Sequence, residues 1–96
     1  MAGILYENPE KLGKETMDLH RAISSLIEEL EAIDYYNQRA RVTEDEKLKK
    51  ILIHNRDEEK EHAAMLIEYL RRKDIEFEKE LKKFVFTEED ITEIEE

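Results

Sequence analysis

The chain has no cysteine, which excludes disulfides, thiolate metal sites and cysteine nucleophiles. It has one proline and two glycines in 96 residues, so almost nothing interrupts helix. The longest apolar run, Ala63 to Ile67, falls far short of the ~20 residues that cross a bilayer. Met1 to Leu5 lacks the basic, then apolar, then cleavable order of a signal peptide. Basic residues are in deficit: 16 Lys and Arg stand against 26 Asp and Glu, a net charge of −10. That balance disfavours nucleic acid and anionic membranes as partners and favours cations. A soluble, cytoplasmic setting is expected.

What is present is charge and helix formers. Asp, Glu, Lys and Arg make up 44% of the chain, a composition typical of long helices or coiled coils. The length argues for one small domain. Residues 1–8 read as a flexible arm. Asn8 can cap a helix, and Pro9 suits its first position. The spacing predicts helix 1 over residues 9–40, roughly 45 Å long, with Leu12, Leu19, Ile23, Leu26, Leu30 and Ile33 as its apolar face. Thr43 with Glu46 forms a capping box for helix 2 over residues 44–73. Short helical segments are expected over 75–96, the first capped by Asp74 and a final turn started by Thr87. A short link between two long helices makes an antiparallel hairpin. Two helices alone cannot enclose a core, so the hairpin needs a partner, most simply a second copy of itself.

The informative feature lies in helix 2. Leu48, Leu52, Asn55, Glu59, His62, Leu66 and Leu70 follow one another at steps of three or four, so they share a helix face. The stripe is apolar at both ends and ionisable in the middle. Burying an unpaired carboxylate costs several kcal/mol as an order of magnitude, and a bound metal ion offsets that cost. Glu-x-x-His is a spacing used by carboxylate di-iron sites in helical bundles. By spacing alone it is weak: with 20 Glu in the chain, one of three His matches by chance about half the time. Its place in the stripe is the stronger argument. His20 and His54 have no Glu at that spacing and read as surface residues.

A partner stands on helix 1. Glu29 flanks the apolar face, with Ala22 one heptad before it and Tyr36 one after. Taking the turn at residue 42, Glu29 lies 13 residues before it, Glu59 17 after and His62 20 after, within about one helical turn of a common height. The chain thus offers two carboxylates and one imidazole, three of the roughly six ligands of a di-iron carboxylate site. The oxygen-rich set suits iron or manganese better than a structural zinc. A two-fold homodimer would complete it, with two metals about 3.5–4 Å apart at the interface. Two other readings stay open. Glu59 and His62 could be a buried hydrogen-bonded pair that sets register in a non-catalytic helical assembly module, or the site could hold two manganese ions.

Longer strings carry a resemblance. The segment Ser25 to Arg39, with Glu28-Glu29-Leu30-Glu31-Ala32-Ile33-Asp34-Tyr35-Tyr36 at its centre, resembles the first helix of the encapsulated ferritins. His54-Asn55-Arg56-Asp57-Glu58-Glu59-Lys60-Glu61-His62 looks like their second helix, and Phe84-Val85-Phe86-Thr87-Glu88 is similar to their C-terminal segment. The similarity covers residues 9–95. It implies a half-ferritin: a two-helix hairpin with a short C-terminal helix, dimerising into a ferritin-like four-helix bundle with a ferroxidase centre. Decamers, as pentamers of dimers, and storage inside an encapsulin nanocompartment are implied with it. By motif position, Glu29, Glu59 and His62 correspond to the iron ligands and Tyr36 lies beside the centre. Glu28 and Glu31 match an acidic site through which Fe(II) is drawn in. Tyr35 stands where some relatives carry Trp. Cargo relatives often end in a Gly- and Leu-containing docking peptide, absent before Glu96. A peptide beyond that residue and fusion to the shell protein are both open.

Overall fold

The computed structural model describes residues 3–95. Met1 and Ala2 of the expected arm, and Glu96 of the expected C-terminal segment, lie outside the described residues. Among the described residues there are three α-helices and no strand: α1 Pro9–Val42, α2 Glu46–Lys73 and α3 Ile75–Phe84, followed by a 3-10 turn at Ile91–Glu93. The fold is all-α, two long helices and a shorter one.

Side chains at the helix ends explain the boundaries. Asn8 accepts a hydrogen bond from the Glu10 amide at 2.9 Å, and Pro9 occupies the first turn, where its missing N–H costs nothing. Gly13 interrupts the helical backbone at φ 79 and ψ 167, a conformation that is essentially glycine's alone. Beyond this break the Gly3 amide donates to Ser24 Oγ at 2.9 Å, so the segment expected as a free arm has a bond to α1.

Two caps differ from the sequence expectation. Thr43 closes α1 instead of opening α2: its Oγ1 donates to the Arg39 carbonyl at 2.6 Å. Asp45 caps α2, accepting from the amides of Lys47 and Leu48 at 2.9 and 3.0 Å. A carboxylate at that position satisfies two free amides and sits at the positive end of the helix dipole, which displaces the capping box. Likewise Thr87 closes α3, donating to the Phe84 carbonyl at 2.7 Å. Asp90 caps the 3-10 turn, accepting from the Thr92 amide at 3.0 Å.

The hairpin closes along a heptad seam. On α1 the buried or half-buried row is Leu19, Ala22, Leu26, Glu29, Ile33, Tyr36 and Ala40, and on α2 it is Leu52, Arg56, Glu59, Ala63, Leu66 and Leu70. Each row alternates steps of three and four, the spacing of a coiled-coil seam. Pairing of Asn37 with Arg56 and of Glu29 with His62 shows the helices to be antiparallel. Small Ala22, Ala40 and Ala63 are buried and let the backbones approach. This seam corrects the expected apolar face: Ile23, Leu30 and Leu48 are about half exposed, and Glu29 lies in the seam instead of beside it.

The third helix is clamped by charge. Arg71 donates to both oxygens of Glu68 at 2.6 and 2.7 Å and to Glu78 of α3 at 2.8 Å. The hydrogen bond from Arg71, with a second from Arg72, pushes the Glu68 carboxyl down to about 2.

One chain leaves much apolar surface uncovered. Its radius of gyration is 17.0 Å, against about 12.5 Å for a compact chain of this length. Its accessible surface is 8048 Å², roughly 2,200 Å² more than a folded monomer of this mass exposes.

Candidate metal centre

Glu29, Glu59 and His62 meet at mid-seam. Counted from the observed helix ends, Glu29 lies 13 residues before Val42 and Glu59 13 after Glu46, so their backbones stand level. Side chains lean toward the N-terminus of their own helix. In an antiparallel pair Glu29 therefore leans away from the turn and His62 toward it, which closes the remaining difference in height. His62 Nδ1 lies 3.4 Å from an oxygen of Glu29 and 3.4 Å from an oxygen of Glu59. One ligand atom from each of the three residues falls within 4.8 Å of the others. Two donors about 2.1 Å from a shared ion lie about 3.4 Å apart at the tetrahedral angle and about 3.0 Å apart at a right angle. The cluster thus needs only small side-chain adjustments to close on a cation.

The electrostatics match that reading. Glu29 Oε2 is buried and makes no well-formed hydrogen bond; its nearest polar neighbour is His62 Nδ1 at 3.4 Å, which offsets its desolvation cost only in part. Proton sharing with Glu59, then burial, then the Glu59 charge hold the Glu29 carboxyl above its ordinary value, against the opposing pull of His62. Desolvation works against a charged His62. The hydrogen bond to Glu59 and the charges of both carboxylates outweigh it and raise the imidazole above its ordinary value. Without a cation the three groups compete for protons. A divalent ion would satisfy the free lone pair and relieve the repulsion between carboxylates. The His62 side chain is 43% exposed, so the cluster is open on one side.

A family model described as EncFtn-like matches residues 4–88. The chain belongs to the EncFtn-like family. It is 53% identical over 90 residues to an encapsulated ferritin-like protein from Rhodospirillum rubrum, covering 94% of this chain and 64% of that protein's length. A ferritin-like protein from Thermotoga maritima is 49% identical over 96 residues, covering all of this chain and 84% of that protein. The crystal structure of protein ne0167 from Nitrosomonas europaea superimposes with a TM-score of 0.88 at 59% identity, covering 91% of this chain and 96% of that one. EncFtn-like membership supports a ferritin-like, iron-related role.

The other residues singled out in this EncFtn-like chain are placed around the cluster. Tyr36 is half-buried in the seam two turns from Glu29, with the Arg39 guanidinium 5.6 Å from its ring centre. Glu28, Glu31 and Tyr35 are exposed, on the side of α1 turned away from the seam. Glu58 is exposed and lies 3.5 Å from His54. His20 is half-buried. No helix among the described residues is long and apolar enough to cross a membrane. Sequence reasoning passed over Arg56, which sits in the seam three residues before Glu59 and donates to Asn37 of α1 at 3.2 Å. Its signal is the strict heptad row Leu52, Arg56, Glu59, Ala63, visible only once Asn55 is set aside.

Proposed function

We propose that the chain is a ferroxidase half-site, in which Glu29, Glu59 and His62 bind Fe(II) as substrate. The observation that carries this reading is the convergence of two carboxylates and one imidazole within 4.8 Å, with a buried Glu29 oxygen that makes no hydrogen bond and faces His62 at 3.4 Å. The donor set of two oxygens and one nitrogen suits Fe(II) or Mn(II). Two Fe(II) give up one electron each. O2 takes both electrons with two protons and leaves as H2O2, or H2O2 takes them with two protons and leaves as two waters. The protein's part is to orient the ligands, hold negative charge where Fe(III) forms, and limit water in the seam. The resemblance assigns Tyr36, two turns along the seam from Glu29, to the surroundings of the centre, and Glu28 and Glu31 on the exposed face attract incoming Fe(II).

A second copy completes the di-iron centre. One chain carries three of about six ligands. Its excess of roughly 2,200 Å² of exposed surface is ample for the ~800 Å² per partner of a stable interface. Pentamers of such dimers, forming decamers within an encapsulin shell in the cytoplasm, are the assembly proposed from the resemblance and from the naming of the Rhodospirillum relative.

A Glu–His register pair is less well supported. At 3.4 Å the His62–Glu59 hydrogen bond is long, and His62 Nδ1 lies equally far from Glu29, so it makes no exclusive pair with either. The test is Fe(II) oxidation followed by ferric absorbance. Glu29→Ala, Glu59→Ala and His62→Ala should each slow it strongly; wild-type rates in all three would sink the assignment. Anomalous scattering at the iron and manganese edges on soaked crystals separates di-iron from di-manganese.

A further inference from the structure

The seam that presents the cluster is poor in directional contacts. Its buried members are Ala22, Ala40, Ala63 and Leu70, three of them too small to interlock deeply, so packing alone specifies the axial register weakly. Among the described residues, two polar side-chain links join α1 to α2: the His62–Glu29 pair at 3.4 Å, and a hydrogen bond from Arg56 Nη1 to Oδ1 of the exposed Asn37 at 3.2 Å. Arg56 occupies a seam position where an apolar side chain would ordinarily pack, and its side chain is only 24% exposed. Its Nε donates to Asp57 Oδ1 at 3.1 Å, and Lys60 donates to the same oxygen at 3.2 Å. The planar guanidinium is therefore fixed from both sides, as arginine's fork of donors allows.

The geometry suits a register device. Arg56 lies ten residues after Glu46 and Asn37 five before Val42, a height difference of about 7.5 Å. Arg56 leans toward the turn and Asn37 away from it, so the bond favours this axial offset. Residues three before and three after Glu59 fall about 60° to either side of it. Arg56 and His62 thus stand on opposite edges of the Glu59 row, and a tie at one edge limits roll at the other. A polar residue in a helix–helix seam fixes register at some cost in stability, and outside the cluster Arg56 is the charged member of this one.

We propose that the Arg56–Asn37 bond sets the register of α2 against α1 and so holds Glu29 opposite Glu59 and His62, making Arg56 a positioning residue for the metal cluster. This rests on the metal-binding reading of that cluster.

The test uses Mn(II), which air does not oxidise, in titrations of the full chain with Arg56→Met, Asn37→Leu, their double variant and Asn37→Asp. Each single variant should bind Mn(II) about ten-fold more weakly, the scale of lost support around metal ligands. The double variant should be no weaker than either single one, because both remove the same bond. Asn37→Asp keeps the acceptor and should restore binding. Melting temperature should hold or rise in Arg56→Met, since an apolar side chain suits the seam; a merely structural arginine would lose affinity and stability together. Wild-type affinity in Arg56→Met, or losses that multiply in the double variant, would overturn the proposal. A wild-type chain that binds no Mn(II) sinks the metal reading itself. The register claim is then decided by crystal structures of metal-free wild type and Arg56→Met: a Glu29–His62 separation unchanged between them refutes it, and a shifted one supports it.

Discussion

Replacing Glu29 by Gln should stabilise the metal-free protein and abolish its stabilisation by metal. The two carboxylates offer oxygens no more than 4.8 Å apart. Two unit charges at that distance repel by about 3.5 kcal/mol at an effective dielectric of ~20 and by about 0.9 kcal/mol in water. The side chains are only 24% and 23% exposed, so the bulk-water figure, about 1 kcal/mol, is a lower bound. That raises the melting temperature of a domain this size by roughly 4–8 °C. The sign depends on pH in a defined way. Glu29's folded value is raised, so its ionisation penalises the fold increasingly as pH climbs above its ordinary value of 4.5. His62's folded value is also raised, so its stabilising attraction to Glu29 is full below its ordinary value and lost as pH rises through the folded one. The advantage of Gln should therefore be larger near pH 9 than near pH 6. With Mn(II) at about a hundred times its dissociation constant the order should reverse. Wild type then gains about 2.7 kcal/mol by linkage, and the variant gains little. Thermal melts monitored by circular dichroism, in chelator and in Mn(II), read both halves. A variant that melts below wild type in chelator at high pH would refute the reasoning, because Glu29 would then be making a net structural bond.

Three further outcomes follow from other parts of the molecule. Mn(II) binding should weaken as pH falls from about 8 to about 6, because the ion must displace protons from His62 and Glu29, both held above their ordinary values; a pH-independent affinity in titrations would contradict this. Leu70→Ala, at the 2% exposed end of the seam, should cost about 2–5 kcal/mol in urea unfolding while leaving the cluster's ligands in place. Arg71→Met should raise amide exchange along Ile75–Phe84 selectively. In the parent chain the Arg71 clamp should hold above pH 4.5 and fade as pH falls below it, since Glu78, which carries the bond to α3, and Glu68, pushed down to about 2, are both held below their ordinary values by the paired cations.

The cluster was legible in the sequence because its evidence is local. Glu59 and His62 are one turn apart on one helix, and a single short connection fixes the height of Glu29. The seam was harder to read. Ile23 and Leu30 are large and draw the apolar face toward themselves, yet both are about half exposed. The residues that are buried on α1 are Ala22 and Ala40, whose small side chains weigh little in any hydrophobic pattern. On α2, Asn55 and Arg56 compete for one place in the stripe. Choosing the first gives a row that runs through His62, and choosing the second gives the row that faces α1. Glu59 belongs to both, which is why the motif survived the wrong choice. Thr43 and Asp45 pose the same problem at the turn, where both are good caps and only the observed end of α1 at Val42 decides between them.

The place of His62 beside the seam bears on how metal and assembly are coupled. His62 belongs to the row Leu48, Ile51, Asn55, Glu58, His62 and Met65, whose apolar members are all about half exposed. Glu29 and Glu59 belong to the seam, which the hairpin closes by itself. The cluster therefore straddles a surface buried within one chain and a surface left for another. On the proposed reading, a partner that covers the Leu48–Met65 row also closes the open side of His62, which excludes water and strengthens every charge interaction at the cluster. Metal binding and dimerisation must then favour each other by the same factor, because linkage is reciprocal. Met65→Lys tests that coupling without touching a ligand. It should weaken dimerisation measured by sedimentation and lower Mn(II) affinity, with the affinity deficit disappearing at protein concentrations high enough to restore the dimer. A deficit that persists in the restored dimer would mean that the cluster and the open row are independent.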